Sequence, residues 1–285
     1  MTPLASYRRL LQLAGPTYVL VAFVGRLALA MSQLGTLLLV STASGSYGLG
    51  GLCAGALAVA NAVGAPVAGT LADRFGQRPV VLAQSLLGAT GLVLLVTAVG
   101  NDAGNGTVVL AAAATGLLLP QVGPLARVRW RPLTRATGGH QRRLVDAAFS
   151  YEGAADEASF AIGPALVGLS VAAVSPSGAL LLAAALLAVF GSAFALDPSA
   201  RLTHAQERPA GTGRLVTPAY AVLVGAQLSI GMLFGATQTG ATVLATDAGT
   251  PGVAGLVHAT LWWPRGRCSC WRCRCWWWAR WPPPP

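Results

Sequence analysis

Acidic side chains occur within an apolar stretch near the middle of the sequence, Val145–Val174. Glu152, Asp156 and Glu157 lie there among long runs of alanine, leucine and valine. A charged group inside a bilayer costs about 2.5 to 3.5 kcal/mol, so such groups usually carry ion, proton or substrate chemistry. These carboxylates are therefore the first candidates for a functional site.

The spacing of these residues is helical. Glu152, Asp156, Ser159 and Gly163 are separated by 4, 3 and 4 positions. This spacing puts them on one face of an α-helix, which should look into a helical bundle or a water-filled cavity. Glu157 falls on another face, where we expect it to pack against a different helix.

Arg26 is the one basic residue within the apolar runs that precede residue 262. It lies about nine positions into its run, or roughly 13 Å at 1.5 Å per residue. Glu152 and Asp156 lie at comparable depth on a run that enters from the same side. We therefore predict an ion pair of Arg26 with Glu152 or Asp156. Its role would be a gate, a substrate anchor or a proton-coupling site, or only a structural buried ion pair.

The elements that must position these residues are membrane helices. Hydrophobic residues make up 54% of the 285 and charged residues only 10%, whereas soluble domains carry about 25% charged residues. Seven apolar runs are close to the roughly 20 residues that cross a bilayer, where only a helix satisfies its own backbone. They are Thr17–Val40, Gly48–Leu71, Pro79–Val99, Thr107–Val122, Val145–Val174, Ser177–Leu196 and Thr217–Thr246. An eighth run begins near Val253.

The basic residues predict the orientation of these helices. The net charge is +10, and all 19 basic residues are arginine, which suggests a GC-rich coding sequence. Before the tail they lie mainly in alternate connections, the largest group being the predicted loop 127–143. This positive-inside pattern predicts a multi-pass protein of the cell membrane with a cytoplasmic N-terminus. We expect the 127–143 loop to set topology and contact anionic lipid rather than form a binding site, and we expect no nucleic-acid partner.

A charged, glycine-containing turn separates the second run from the third. Its six defining residues are Gly69, Leu71, Asp73, Arg74, Gly76 and Arg78. They fit the pattern G-x-L-[A/D]-D-R-x-G-x-[K/R], with which the major facilitator superfamily of secondary transporters joins its second and third transmembrane helices. The chain therefore resembles this family.

The residues of this turn have distinct expected roles. Gly69 is expected to allow close helix approach, and Gly76 a turn that a Cβ would obstruct. Asp73 is expected to accept hydrogen bonds or to lie at a helix N-terminus, while Arg74 and Arg78 hold the loop on the cytoplasmic side.

The resemblance implies an all-α integral membrane protein with a six-helix N-terminal bundle, a seventh helix and part of an eighth. Residues 1–196 would form the bundle, 197–216 the cytoplasmic linker between halves, and 217–261 the start of the C-terminal half. The implied function is secondary active transport by alternating access, with ion-gradient-driven efflux of small molecules. The partners would be a small-molecule substrate, protons and the lipid bilayer, and no cofactor is implied.

The fifth run also carries a helix-bending motif, Gly163-Pro164 with Gly168 beyond. It resembles the Gly-Pro motif in the fifth helix of antiporter-type members, although their pattern is nearer G-P-x-x-G-G. A packing kink is the alternative reading, because Pro and Gly allow bending and close packing. Many drug–proton antiporters also have an arginine inside the fourth helix, and the predicted run Thr107–Val122 has none.

The tail, 262–285, has a different composition. It holds seven of the eight tryptophans and four of the five cysteines. The C-x-C-x-x-C-x-C spacing from Cys268 to Cys275 is too cramped for a paired-knuckle zinc site, so no metal is predicted. Leu and Val codons of GC-rich DNA read one base later give Cys and Trp. We therefore hypothesise that a frameshift interrupts the eighth helix and that this chain, lacking most of its second half, is inactive unless it assembles with a partner.

The alternative function is a non-transporting membrane fragment or half-unit that assembles, as a homodimer for instance, or regulates another protein. An enzyme is not expected. The sequence has no nucleotide-binding loop and no convincing nucleophile–base pair, and its histidines, His140, His204 and His258, are scattered.

Overall fold

The computed structural model describes residues 3–203 and 217–250. Every regular element in those ranges is helical, and no strand occurs in them. The α-helices are α1 (Pro3–Ala14), α2 (Pro16–Ser44), α3 (Tyr47–Phe75), α4 (Gln77–Gly100), α5 (Asn105–Leu118), α6 (Val122–Leu133), α7 (Gln141–Ala173), α8 (Pro176–Leu186), α9 (Ser192–Leu196) and α10 (Pro218–Asp247). Short 3₁₀ segments span Arg135–His140 and Pro198–Thr203, and the π-helical segment Leu187–Gly191 joins α8 to α9.

Six stretches of the described chain are helical, long and apolar enough to cross a membrane. They are Pro16–Ser44, Tyr47–Phe75, Gln77–Gly100, Asn105–Leu133, Pro176–Leu196 and Tyr220–Asp247. Helix α7 is not among them by composition, although its 33 residues extend about 50 Å. The prediction of an all-helical protein is confirmed for the described ranges, and the set of spans is consistent with a multi-pass membrane protein.

The ends of the spans follow ordinary capping rules. Pro16 starts α2 at a position where a missing N–H costs nothing, and Gly45, with φ of 63°, ends it. Ser46 then caps α3, because its hydroxyl accepts the backbone N–H of Leu49 at 3.3 Å. These signals are local, which explains why the predicted second and third runs differ from α3 and α4 mainly at their ends.

The fourth span is longer than predicted. Its predicted end was Val122, but the chain breaks only at residues 119–121 and continues as α6 to Leu133. Asn61 of α3 donates its amide to the carbonyls of Gly116 and Leu119, at 3.0 and 3.1 Å, and so satisfies the broken turn. Residues 127–133 are therefore helical, and their assignment to a loop is wrong.

Two further segments differ from the sequence reading. The linker predicted at 197–216 begins with a 3₁₀ segment whose Ser199 and Ala200 are buried, so its first turn belongs to the bundle. Helix α1 was not predicted at all; it is amphipathic, and its Leu10 packs into the core. Residues 204–216, the start of the eighth run and the tail lie outside the described residues.

Close glycine contacts hold the spans together. A Cβ on Gly64 would lie 2.6 Å from the carbonyl oxygen of Leu117, and one on Gly163 would lie 2.6 Å from the Cβ of Ala30. Small residues thus let backbones approach where lipid supplies no hydrophobic driving force between helices. Helix α10 is different: its most apolar stretch has no buried residue.

Candidate functional site

Four charged side chains from three helices meet inside the bundle. Arg26 comes from α2, Arg127 from α6, and Glu152 and Asp156 from α7. Arg26 lies ten positions from the start of α2, or about 15 Å along its axis, which is far from either end of the span. The structure thus brings together the three residues predicted to pair and adds a fourth.

Glu152 is the innermost member of this cluster. Its side chain has no exposed surface, and Nη2 of Arg26 donates to Oε2 at 2.6 Å. The other carboxylate oxygen accepts Nε1–H of Trp130 at 2.7 Å. Both oxygens are therefore used by donors that are themselves buried, as a charge in a low-dielectric interior requires.

Arg26 is held on both sides. Its Nε donates to the carbonyl of Ala22 one turn earlier, at 3.1 Å, and its Nη1 donates to Oδ1 of Asp156 at 2.8 Å. Together with the bond to Glu152, every nitrogen of the guanidinium has an acceptor. The planar fork of arginine makes this three-way contact possible, and a lysine could not reproduce it.

Asp156 is shared between two arginines. Its Oδ1 accepts from Arg26, and its Oδ2 accepts from Arg127. The carboxylate also lies against the first turn of α6, where a Cβ on Gly123 would approach Oδ1 to 2.8 Å. The glycine makes room for the carboxylate, and the positive end of the α6 dipole favours a negative charge there. Unlike Glu152, the side chain of Asp156 is 28% exposed.

The remaining residues of the predicted α7 face are placed differently. Ser159 is buried, but its hydroxyl donates to the carbonyl of Ala155 one turn earlier and does not join the cluster. Gly163 packs on α2, and Pro164 and Gly168 are buried within an unbroken α7. Glu157 is exposed, so the expectation that it packs against another helix is wrong for the described residues.

Arg127 is the member that sequence reasoning missed, because α6 was assigned to a loop. A helical signal was present nonetheless. Val122, Ala126 and Trp130 recur at every fourth position and are all buried. Periodicity after Pro120 could have indicated that the fourth span continues and carries its arginines inward.

A second buried polar cluster surrounds Arg129. Its Nε donates to Oε1 of Gln77 at 2.9 Å, and its Nη1 donates to the carbonyl of Phe194 at 2.8 Å and to Oγ of Ser199 at 3.2 Å. The guanidinium also lies 3.7 Å above the Phe194 ring. Arg129 therefore connects the first residue of α4, helix α9 and the 3₁₀ segment that follows α9.

The signature turn adopts the expected conformation at one glycine and not at the other. Gly76 has φ of 92° and ψ of 153°, a backbone that other residues rarely adopt. By contrast, a Cβ on Gly69 would meet no atom of the described residues within 4 Å, so the expected close helix approach is wrong for the described part of the chain.

The charged residues of the turn face outward. Asp73 lies exposed in the last turn of α3, not at a helix N-terminus, and has no hydrogen bond or ion pair within the described chain. Arg74 is also exposed and stacks at 5.6 Å on the ring of Phe75. Leu71 is exposed, and Arg78 is half-buried in the first turn of α4.

Within residues 3–203 and 217–250, no group of three or more His, Cys, Asp or Glu side chains is arranged to hold a metal ion. Cys53 is fully buried, as expected for a small apolar residue. The four tail cysteines lie outside the described residues.

A scan against known protein families finds no match, and a search of curated proteins finds none either. The resemblance to the major facilitator superfamily therefore rests on the residues of the turn Gly69–Arg78 and on the order of the spans.

Proposed function

We propose that this protein is a secondary active transporter of the major facilitator type, moving a small molecule across the cell membrane by alternating access. Three features support the proposal: the series of membrane-length helices, the charged turn between the second and third spans, and the charge cluster inside the bundle. Ionisable groups within membrane segments generally mark substrate or ion pathways.

The observation that carries the proposal is the position of Asp156 between Arg26 and Arg127. Glu152 has no exposed surface and is fully bonded, so it anchors Arg26. Asp156 is partly exposed and bonds arginines on two different helices. A proton or a cationic group that reached Asp156 would compete with those arginines.

Such competition would couple binding to movement of helices. Loss of the Arg127–Asp156 pair would weaken the contact between α6 and α7, which the Trp130–Glu152 hydrogen bond would still hold, whereas the Arg26–Glu152 pair would keep α2 on α7. The break at residues 119–121 gives α6 a point about which to move relative to α5. Alternating access requires contacts that are formed in one state of the transporter and broken in the other, and this ion pair could be one of them.

The proposal also includes an orientation, a coupling ion and a class of substrate. We place the arginine-rich ends of the spans, and with them the N-terminus, in the cytoplasm of a bacterial cell. Protons are the proposed coupling ion, small molecules are the exported substrate, and no cofactor or catalytic step is needed.

A second function, a half-unit that assembles with another chain, is favoured by one observation. Helix α10 exposes large apolar residues such as Val222, Met232 and Leu244 at 72, 70 and 73% of their surface. Inside a bilayer this face can be covered by lipid, by further transporter helices or by a second copy. Crosslinking in mild detergent identifies the second copy, because a half-unit yields a dimer band and a self-contained chain does not.

The transport function is tested in everted membrane vesicles from cells that express the full chain. The probes are ethidium and other fluorescent cations, with and without an uncoupler. We expect uncoupler-sensitive uptake that Asp156→Asn abolishes and Glu157→Gln preserves, since Glu157 is exposed and outside the cluster. Equal uptake by wild-type and empty vesicles, with the protein inserted, would exclude transport of these probes and favour the half-unit.

A further inference from the structure

A basic cleft lies where α6 ends and α7 begins, outside the charge cluster. It is an open cleft of about 500 Å³, and its lining includes Arg131, Arg135 and Arg142. Val145 and Phe149 form an apolar wall, one turn apart on α7. The amide of Gln141 donates to the carbonyl of Arg131 at 3.1 Å and fixes the two helix ends against each other. This hydrogen bond links the two helix ends that border the cleft.

The charges lining this cleft are unbalanced. None of the three arginines has a carboxylate within ion-pair distance among the described residues, and Asp146 is the one acidic side chain on the lining. Three guanidinium groups around one cleft make it electropositive and favour the binding of an anion. Guanidinium forks match the oxygens of a phosphate group in geometry and charge.

The apolar wall decides between kinds of anion. Phe149 is 41% exposed, and it borders a cleft that lies where the fourth span ends and α7 begins. A free phosphate ion would gain nothing from this ring. A phospholipid would place its phosphate among the arginines and its glycerol and upper acyl carbons against Phe149 and Val145.

We propose that the cleft lined by Arg131, Arg135 and Arg142 binds the headgroup of an anionic phospholipid from the adjacent leaflet. The lipid would bridge α6 and α7, the helices that carry Arg127 and Asp156. The proposal does not depend on transport, because it concerns only the cleft and the bilayer.

The test is lipid retention by the purified full chain. The protein is extracted, delipidated in detergent, and titrated with phosphatidylglycerol or phosphatidylcholine, and bound lipid is counted by native mass spectrometry. Wild-type protein should retain phosphatidylglycerol selectively. Each of Arg131→Gln, Arg135→Gln and Arg142→Gln should weaken this binding about fivefold.

Arg143→Gln is the matched control. Arg143 is exposed on α7 next to Arg142 but does not line the cleft, so its loss removes the same charge and should leave binding unchanged. Phe149→Ser tests the apolar wall and should also weaken retention. All substituted side chains are exposed, and gel filtration checks that each variant stays folded.

Two results would overturn the proposal. If Arg143→Gln weakens binding as much as Arg142→Gln, general surface charge accounts for the lipid and the cleft does not. If inorganic phosphate displaces phosphatidylglycerol at equal concentration, or if phosphatidylcholine binds equally well, the site does not select an anionic lipid.

Discussion

Arg26 and Glu152 are 126 positions apart in the chain, and their side chains meet at 2.6 Å with 4 and 0% of their surface exposed. Among the described residues Arg26 is the one cation that Glu152 contacts, and an unpaired ion in the interior costs several kcal/mol, whereas Arg26 also pairs with Asp156. The pair thus joins α2 to α7 at a depth where water does not compete.

The first prediction concerns this pair. Arg26→Gln should lower the free energy of unfolding by about 3 to 5 kcal/mol, because it leaves Glu152 buried without its counter-charge. Adding Glu152→Gln should recover part of the loss. Unfolding in detergent measures both, with Arg8→Gln, an exposed arginine of α1, as control. Strictly additive losses would show that the two side chains do not act as a pair.

The second prediction concerns the space that Gly123 leaves for Asp156. Gly123→Ala should displace the carboxylate from Arg26 and Arg127 and destabilise the protein by about 1 to 3 kcal/mol. Gly69→Ala is the control, because its new methyl group meets no atom and removes a flexible residue from a helix. It should be neutral or stabilise by about 0.5 to 1 kcal/mol. Equal losses for both would mean that crowding at Asp156 is not the cause.

The third prediction concerns the hydrogen bonds and the ring contact made by the guanidinium of Arg129. Arg129→Lys keeps the charge but cannot reach Gln77, Phe194 and Ser199 together or stack on the aromatic ring. We expect a loss of about 2 to 3 kcal/mol in unfolding free energy. Arg143→Lys, at an exposed site, should cost nothing measurable. A wild-type melting curve for Arg129→Lys would show that these guanidinium contacts do not contribute to stability.

The fourth prediction concerns the break in the fourth span. Asn61→Leu removes the side-chain donor to the carbonyl of Leu119 and one of two donors to that of Gly116, which also accepts the backbone N–H of Leu119 at 3.3 Å. A buried acceptor left unsatisfied costs about 1 to 3 kcal/mol. Hydrogen exchange should accelerate at residues 115–122 before it does elsewhere. Asn105→Leu, an exposed asparagine at the start of α5, is the control. Unchanged exchange at the break would contradict the assigned role of Asn61.

Much of the helical architecture could be predicted because the causes are local. A run of about 20 apolar residues must be helical in lipid wherever it lies, and Pro16, Gly45 and Ser46 mark ends through their own backbone and side-chain properties. The pairing of Arg26 with Glu152 or Asp156 also followed from depth, since charges at one level in a bilayer have few other partners.

The inward course of α6 could not be read in the same way. On a hydropathy scale each arginine lowers the predicted membrane preference of its segment, so Arg127 and Arg129 were assigned to a loop. What holds Arg129 inside are Gln77, Phe194 and Ser199, which lie 52, 65 and 70 positions away. Only the folded chain brings such acceptors together.

The sequence by itself therefore determined which segments are helical, roughly where they end, and which carboxylates had to find a cation. The tertiary structure decided which cations these carboxylates contact: Asp156 bonds two arginines, whereas Glu152 is fully buried against one. It also decided where the fourth span breaks before it continues as α6. The physical reason is range: apolar length and capping act within a few residues, whereas the burial of a charge depends on partners supplied by distant parts of the chain.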